Sequence, residues 1–137
     1  MPTQATFLAA ADAFEAAAHD VSLVLPPLDA LVTPPVLDGG LLTRQVTTAL
    51  VSCTSALAVV VQACRDAAAE SRWRAEVCAV YGRHVAAWGV AMTDYQHATR
   101  RWQASYEEHQ ASPNSPDPGP PPRSPGPTPP TPFTWVD

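Results

Sequence analysis

The distribution of proline most constrains how this chain can fold. It has 16 prolines, yet none lies between residues 41 and 110, whereas residues 26–40 and 112–132 hold nearly all of them. Proline lacks an amide hydrogen and disrupts helix interiors, so the proline-free stretch can be helical throughout. Its residues are mostly good helix formers, which predicts one long helix or two collinear helices over residues 41–110.

Residues 3–25 are predicted to form an amphipathic helix. Their apolar side chains recur at spacings of four and three, which places them on one helix face. They are Phe7, Ala11, Phe14, Ala18, Val21 and Leu25. Thr3 is a suitable N-cap, and we expect Pro26-Pro27 to end the helix. Residues 26–40, with two Pro-Pro pairs and Gly39-Gly40, would then form a turn-rich connector.

The C-terminal residues 111–137 form a proline-rich tail. Proline makes up about half of residues 112–132, a composition that cannot pack a core and favours an extended polyproline II conformation. We therefore predict a disordered tail after a helical domain at residues 1–110. The predicted fold class is all-α, either an elongated helical hairpin or a three-helix bundle. Phe133 and Trp135 are candidates for a short docking anchor, because aromatic side chains carry much of the energy of binding.

Two heptad patterns run along residues 41–110. The first comprises Val46, Leu50, Cys53, Leu57, Val60, Cys64 and Ala67. The second comprises Val77, Tyr81, His84, Trp88, Ala91, Tyr95, Ala98 and Trp102. The second pattern is offset by one residue from a continuation of the first, which predicts a kink near residues 66–74.

An aromatic residue stands at every seventh position of the second pattern: Tyr81, Trp88, Tyr95 and Trp102. We call these four residues the aromatic ladder. One interpretation is an ordinary core stripe; the other is a seam that binds another chain. The first helix is about 35 Å long and can cover only about a third of the long helix. An uncovered stripe of Tyr and Trp would exceed the apolar patches of most soluble monomers, so we predict a partner-binding seam unless the long helix folds back.

Gly82 and Gly89 each follow a ladder residue and are also seven residues apart. Glycine inside a helix costs about 1 kcal/mol relative to alanine, so its presence calls for a reason. With Ala86 between them, the two glycines could form a small-residue groove that another helix backbone approaches closely. They are therefore predicted to belong to the same partner-binding site.

Neither the composition nor any motif points to a catalysed reaction, a metal or a cofactor. The net charge is −5, and this acidic balance argues against nucleic acid as a partner. No metal-ligand spacing, phosphate loop or nucleophile motif occurs, so we expect no catalytic, metal or cofactor site and no enzyme. His84 is interpreted as a buried or half-buried polar residue that sets the register. The three cysteines are interpreted as small buried hydrophobes in a reducing compartment.

One segment could imitate a membrane span. Residues 46–64 carry no charge and are about long enough to cross the hydrocarbon core. Several Ser and Thr residues and Gln62 dilute this segment, and no cluster of positive charge flanks it. We favour a buried or partner-covered helix over a span. Residues 1–20 lack the basic start of a secretory signal, so we expect a cytoplasmic protein, or one exported without a cleavable signal peptide.

The layout of a helix, the turn LDGGLL, a second long helix and a polar tail resembles the small helical-hairpin proteins of type VII (ESX-type) secretion. These are the Trp-x-Gly family and its secretion-associated relatives. The resemblance covers about residues 3–110 and implies a four-helix heterodimer. The family's Trp-x-Gly turn is replaced here by Asp38-Gly39-Gly40, and no Tyr-x-x-x-Asp/Glu export signal occurs. The resemblance therefore implies export together with a partner that carries the signal.

These observations predict a non-enzymatic helical binding partner, with a type VII secretion association implied by the resemblance. The partner would be another helical protein, or a second copy of the chain. One alternative is a self-sufficient structural or homo-oligomeric bundle in which the aromatic ladder is plain core. A further alternative is a protein anchored in a membrane by a single span.

Overall fold

The computed structural model describes residues 2–32, 40–112 and 114–133. Three helices form in these ranges: α1 (Gln4–Ser22), α2 (Leu25–Val32) and α3 (Leu41–Ala111). No strand occurs in the described residues, so the all-α prediction is confirmed. The chain divides into two compact units, Met1–Glu76 and Val77–Asp137. The division lies within α3.

The start of α1 is as predicted and its end is not. Thr3 caps the helix by accepting from the Thr6 backbone amide at 3.3 Å, and the Thr6 hydroxyl accepts from the Thr3 amide in return. α1 ends at Ser22, and a new helix, α2, begins at Leu25. Pro26 and Pro27 lie in the first turn of α2, where helix amides need no intrahelical acceptor. Pro26 and Pro27, which were expected to end a helix, therefore lie at the start of one. α2 occupies part of the predicted connector.

The core of the first unit is made of small residues at seven-residue spacings. Ala11 and Ala18 of α1 are buried, and so are Val61, Ala68 and Ala75 of α3. Glu15 pairs with Arg72, and Arg65 lies beside His19 and Ser22. Residues later in α1 therefore contact residues earlier in α3, so the two helices are antiparallel. This register places Ala11 opposite Ala75 and Ala18 opposite Ala68, and alanine on both helices allows their backbones to approach closely.

The first heptad pattern predicted the buried face of α3 correctly at only some of its positions. Val46, Cys53 and Val60 are exposed, whereas the residues one position later, Thr47, Thr54 and Val61, are half-buried or buried. Leu50, Leu57 and Cys64 are half-buried, as expected. A shift of one residue turns a helix face by about 100°. Because residues 46–64 are apolar on every side, periodicity alone could not choose between the two faces.

The second unit contains the aromatic ladder on one half-buried face of α3. That face comprises Tyr81, Val85, Trp88, Met92, Tyr95, Thr99 and Trp102. The predicted members His84 and Ala91 are exposed, so His84 does not act as a half-buried register residue. The residues that alternate with the ladder on this face are Val85, Met92 and Thr99. Each lies one position after a predicted member of the pattern, His84, Ala91 or Ala98.

The proline-rich tail differs from the disordered segment that its composition predicts. Its described residues form neither helix nor strand, yet they lie along α3 and accept hydrogen bonds from ladder side chains. A polyproline II chain makes no hydrogen bonds within itself, so its carbonyls are free to accept from a neighbour. The helix supplies the donors that the tail's composition cannot provide.

Candidate binding surfaces

Three members of the aromatic ladder hold the tail through its backbone. The indole nitrogen of Trp102 donates to the Gly119 carbonyl at 2.8 Å, and that of Trp88 donates to the Gly126 carbonyl at 3.0 Å. The Tyr81 hydroxyl donates to the Pro129 carbonyl at 3.4 Å. Each of these three residues joins an apolar ring with one polar donor, and the donor meets a carbonyl that would otherwise need water.

The spacing of these contacts matches the geometry of the two chains. His109 contacts the Ser115 carbonyl at 2.8 Å, so the contacts run from Tyr81–Pro129 to His109–Ser115. Between these two contacts lie 28 residues of α3 (81 to 109) and 14 residues of the tail (115 to 129). The two segments run in opposite directions. At about 1.5 Å per residue the helix covers about 42 Å. At about 3.1 Å per residue a polyproline II chain covers about 43 Å.

This match explains why the ladder has a period of seven. One heptad of helix advances about 10.5 Å, which corresponds to about 3.5 residues of polyproline II. The tail residues that are half-buried follow the same interval: Ser115, Pro118, Pro122, Gly126, Pro129 and Phe133. The register places Tyr95 opposite Pro122, and both are half-buried.

The two glycines that meet tryptophan belong to a repeated four-residue unit. Asp117-Pro118-Gly119-Pro120 and Ser124-Pro125-Gly126-Pro127 are seven residues apart. In each unit the glycine has a positive φ, 71° at Gly119 and 88° at Gly126. The glycine amide also donates to the side chain two positions earlier, Asp117 Oδ1 at 2.9 Å and Ser124 Oγ at 3.3 Å. Glycine is the residue that adopts positive φ at no steric cost, because it has no Cβ.

Gly119 and Gly126 were missed as functional residues, although a signal for them exists. The two Pro-Gly-Pro units are separated by seven residues, and Trp88 and Trp102 by 14. Seven residues of a polyproline II chain and 14 residues of an α-helix have nearly the same length. Comparing the two periods would have paired the tail with the ladder.

The other predicted site residues are placed less uniformly. Gly82 is exposed and Gly89 half-buried, and a Cβ atom added at either would meet nothing within 4 Å. No described segment therefore uses the predicted small-residue groove. Phe133 is half-buried, and Trp135 lies outside the described residues. Beyond the ladder's predicted period, Tyr106 stacks on Trp102 with ring centroids 5.1 Å apart.

A second surface lies on the uncharged segment between Arg44 and Arg65, which we call the apolar segment. Its exposed residues include Val46, Val51, Val59 and Val60. Val46 and Val60 share one side of the helix, whereas Val51 and Val59 lie on other sides. α3 contains an 18-residue window with a mean hydropathy of 1.7, long and apolar enough to cross a membrane, and 6% of that window is buried. Among the described residues, one face of this segment is half-buried and Val61 is its only buried side chain, so most of its other apolar side chains stay exposed.

Neither surface brings together groups of catalytic type. Among the described residues, no three His, Cys, Asp or Glu side chains cluster in a way that could hold a metal ion. The three cysteines are free thiols; Cys53 is exposed, which corrects its interpretation as a buried hydrophobe, and Cys64 and Cys78 are half-buried. On the surface, the hydrogen bond between Arg72 and Glu15 lowers the pKa of the Glu15 carboxyl and raises the pKa of the Arg72 guanidinium.

No protein-family model matches the chain, and no curated protein or solved structure is significantly similar to it. The contacts and exposed surfaces of the chain itself therefore carry the functional argument.

Proposed function

We propose that this protein is a non-enzymatic helical binding partner that pairs with another helical protein through its apolar segment. The observation that carries the proposal is the low burial of that segment, 6% of its most apolar window. Exposed apolar area of this extent is uncommon on soluble monomers and marks interaction surfaces. The ladder, which the sequence offered as the partner seam, is already occupied by the tail.

We further propose that the pairing is of the type VII secretion-associated kind. What supports this is the antiparallel packing of α1 on α3 around residues 65–75, with buried alanines on both helices, because the resemblance implies a helical hairpin. In such a pair the apolar segment would be covered by helices of the partner. Because valines are exposed on several sides of α3, one partner helix would cover only part of the segment, and two would be needed.

A second candidate function is attachment to a membrane by a single span. It is favoured by the same hydropathy and by the position of the uncharged segment between Arg44 and Arg65. Its length suits a bilayer core of about 30 Å. The Ser and Thr hydroxyls of the segment argue only weakly against a membrane span, because a helix offers them carbonyl acceptors. Thr48 and Thr54, for example, donate to helix carbonyls at 2.8 and 2.7 Å, which lowers the cost of placing them in lipid.

Two measurements on the full chain separate these functions. Extraction of cell membranes with alkaline carbonate tests for a span, which would keep the protein in the pellet. If the protein is soluble, its mass by light scattering after size exclusion tests for pairing, first alone and then with helical proteins encoded beside it. A soluble, stable monomer of 14.5 kDa that binds none of them would overturn both proposals.

Charge substitutions locate the interface. Val59→Glu and Val51→Glu change side chains that are 68% and 46% exposed, so they should leave the fold intact while preventing association. Val90→Glu is the matched control, because Val90 is 63% exposed on α3 but lies outside the apolar segment. An association that resists both changes in the segment and is lost in the control would place the interface elsewhere.

A further inference from the structure

We infer that the aromatic ladder is a binding site for proline-rich segments in the polyproline II conformation that carry Pro-Gly-Pro units at seven-residue spacing. The tail of the chain is the built-in occupant of this site. A segment of the same kind from another protein would be the ligand that replaces it. This inference concerns a different surface from the apolar segment and is independent of the proposed function.

The recognition depends on the backbone of the ligand and not on its side chains. All three ladder contacts join a side-chain donor to a tail carbonyl, at Gly119, Gly126 and Pro129. Aromatic surfaces that carry donors toward a polyproline II chain are a recurring way to bind such ligands, because that chain is extended before it binds. Any chain with the same conformation and carbonyl spacing can meet these donors.

Selectivity comes from the glycines and from their interval. Trp88 and Trp102 contact carbonyls that are seven tail residues apart, and both carbonyls belong to glycines with positive φ. A residue with a side chain at these positions would strain the backbone and move the carbonyl away from the indole. A plain polyproline chain, or one with glycines at another spacing, would therefore satisfy at most one tryptophan.

The occupant in the structure can be exchanged. A hydrogen bond contributes only about 1 kcal/mol net, and the ladder and tail side chains at the contacts remain half-exposed. The tail has the advantage of its tether, because the His109–Ser115 contact holds its start beside the end of α3. Tethering of this kind corresponds to an effective concentration of about 1 mM, which a ligand in trans must overcome.

The test uses the full chain and a synthetic peptide of residues 112–133 labelled at its N-terminus. In the chain, Gly119→Val and Gly126→Val together should release the tail, and both positions lie outside the helices. Fluorescence anisotropy should show saturable binding of the peptide to this variant, at least about tenfold tighter than to the unmodified chain, whose own tail competes. A peptide carrying the same two valines is the matched control and should bind neither chain.

A spectroscopic readout confirms the location. The indole N–H resonances of Trp88 and Trp102 should move when the tail is released and return when the unmodified peptide is added. The inference is overturned if the peptide does not bind the released chain, if the valine peptide binds equally well, or if the Trp88 and Trp102 resonances do not respond.

Discussion

The indole nitrogen of Trp88 donates a hydrogen bond to the carbonyl oxygen of Gly126 at 3.0 Å, across 38 residues of sequence. This contact joins the middle of the aromatic ladder to the second Pro-Gly-Pro unit of the tail. It fixes the tail against one face of α3 within the second unit.

Replacing Trp88 with Phe should weaken docking of the tail by about 1 kcal/mol, because it removes the donor and keeps an aromatic ring. The measurement is the amide resonance of Gly126, whose shift reports the docked fraction. Val90→Ala is the control, since Val90 is 63% exposed on the same stretch of α3 and lies off the ladder face. A Gly126 resonance that is unchanged in Trp88→Phe would show that the hydrogen bond does not hold the tail.

Replacing Gly126 with Ala should release the tail through backbone strain. A φ of 88° lies in the region that residues with a Cβ avoid, at a cost of about 1–2 kcal/mol. Space is not the reason, because a Cβ there meets nothing within 4 Å. Tail docking can be followed by tryptophan fluorescence. Pro125→Ala provides a comparison that keeps the glycine, and equal losses in the two variants would argue against the role of positive φ.

Replacing Gly82 or Gly89 with Ala should have the opposite effect and raise the free energy of unfolding by about 1 kcal/mol each. Both glycines lie within α3, and an added Cβ meets nothing within 4 Å. Denaturation followed by circular dichroism measures the gain. If Gly89→Ala stabilises the isolated chain but impairs a complex, the small-residue groove serves a partner. A Gly89→Ala chain that is less stable would show a close contact at Gly89 within the molecule.

Replacing Ala68 with Leu should destabilise the first unit by about 1–3 kcal/mol, because the added carbons have no room between α1 and α3. Ala68 is 1% exposed and lies opposite Ala18 in the antiparallel register. Urea unfolding gives the change. Ala91→Leu is the control on an exposed position of the same helix, and a similar loss in both variants would contradict close packing at Ala68.

Acid should weaken the pairing of α1 with α3 at Glu15. The hydrogen bond from Arg72 lowers the pKa of the Glu15 carboxyl, helped by the charge of the guanidinium. A lowered pKa in the folded state contributes stability above the carboxyl's ordinary pKa, and that contribution is lost as the pH falls through the lowered value. The effect is small because both side chains are about half-exposed.

The measurement for this pair compares unfolding at neutral and acidic pH in the unmodified chain and in Glu15→Gln. The difference between the two proteins should be present at neutral pH and shrink in acid. A difference that stays constant with pH would mean that Glu15 acts through packing and not through its charge.

The sequence by itself determined which residues could be helical and where the chain changes character. The absence of proline from residues 41–110 predicted α3, which runs from Leu41 to Ala111. Thr3 marked the start of α1 through its own side-chain hydrogen bond. These are local effects, since proline and helix caps act through neighbouring residues of the same chain.

Tertiary structure decided which helix faces are covered and by what. In residues 46–64 apolar side chains lie on every side, and tertiary contacts decided that Val61 is buried there while Val60 stays exposed. The tail's composition excluded helix and core, but its placement depends on carbonyls that meet Trp88 and Trp102 from 38 and 17 residues away. No local preference encodes that distance. It follows from the equal lengths of one heptad of α-helix and about 3.5 residues of polyproline II.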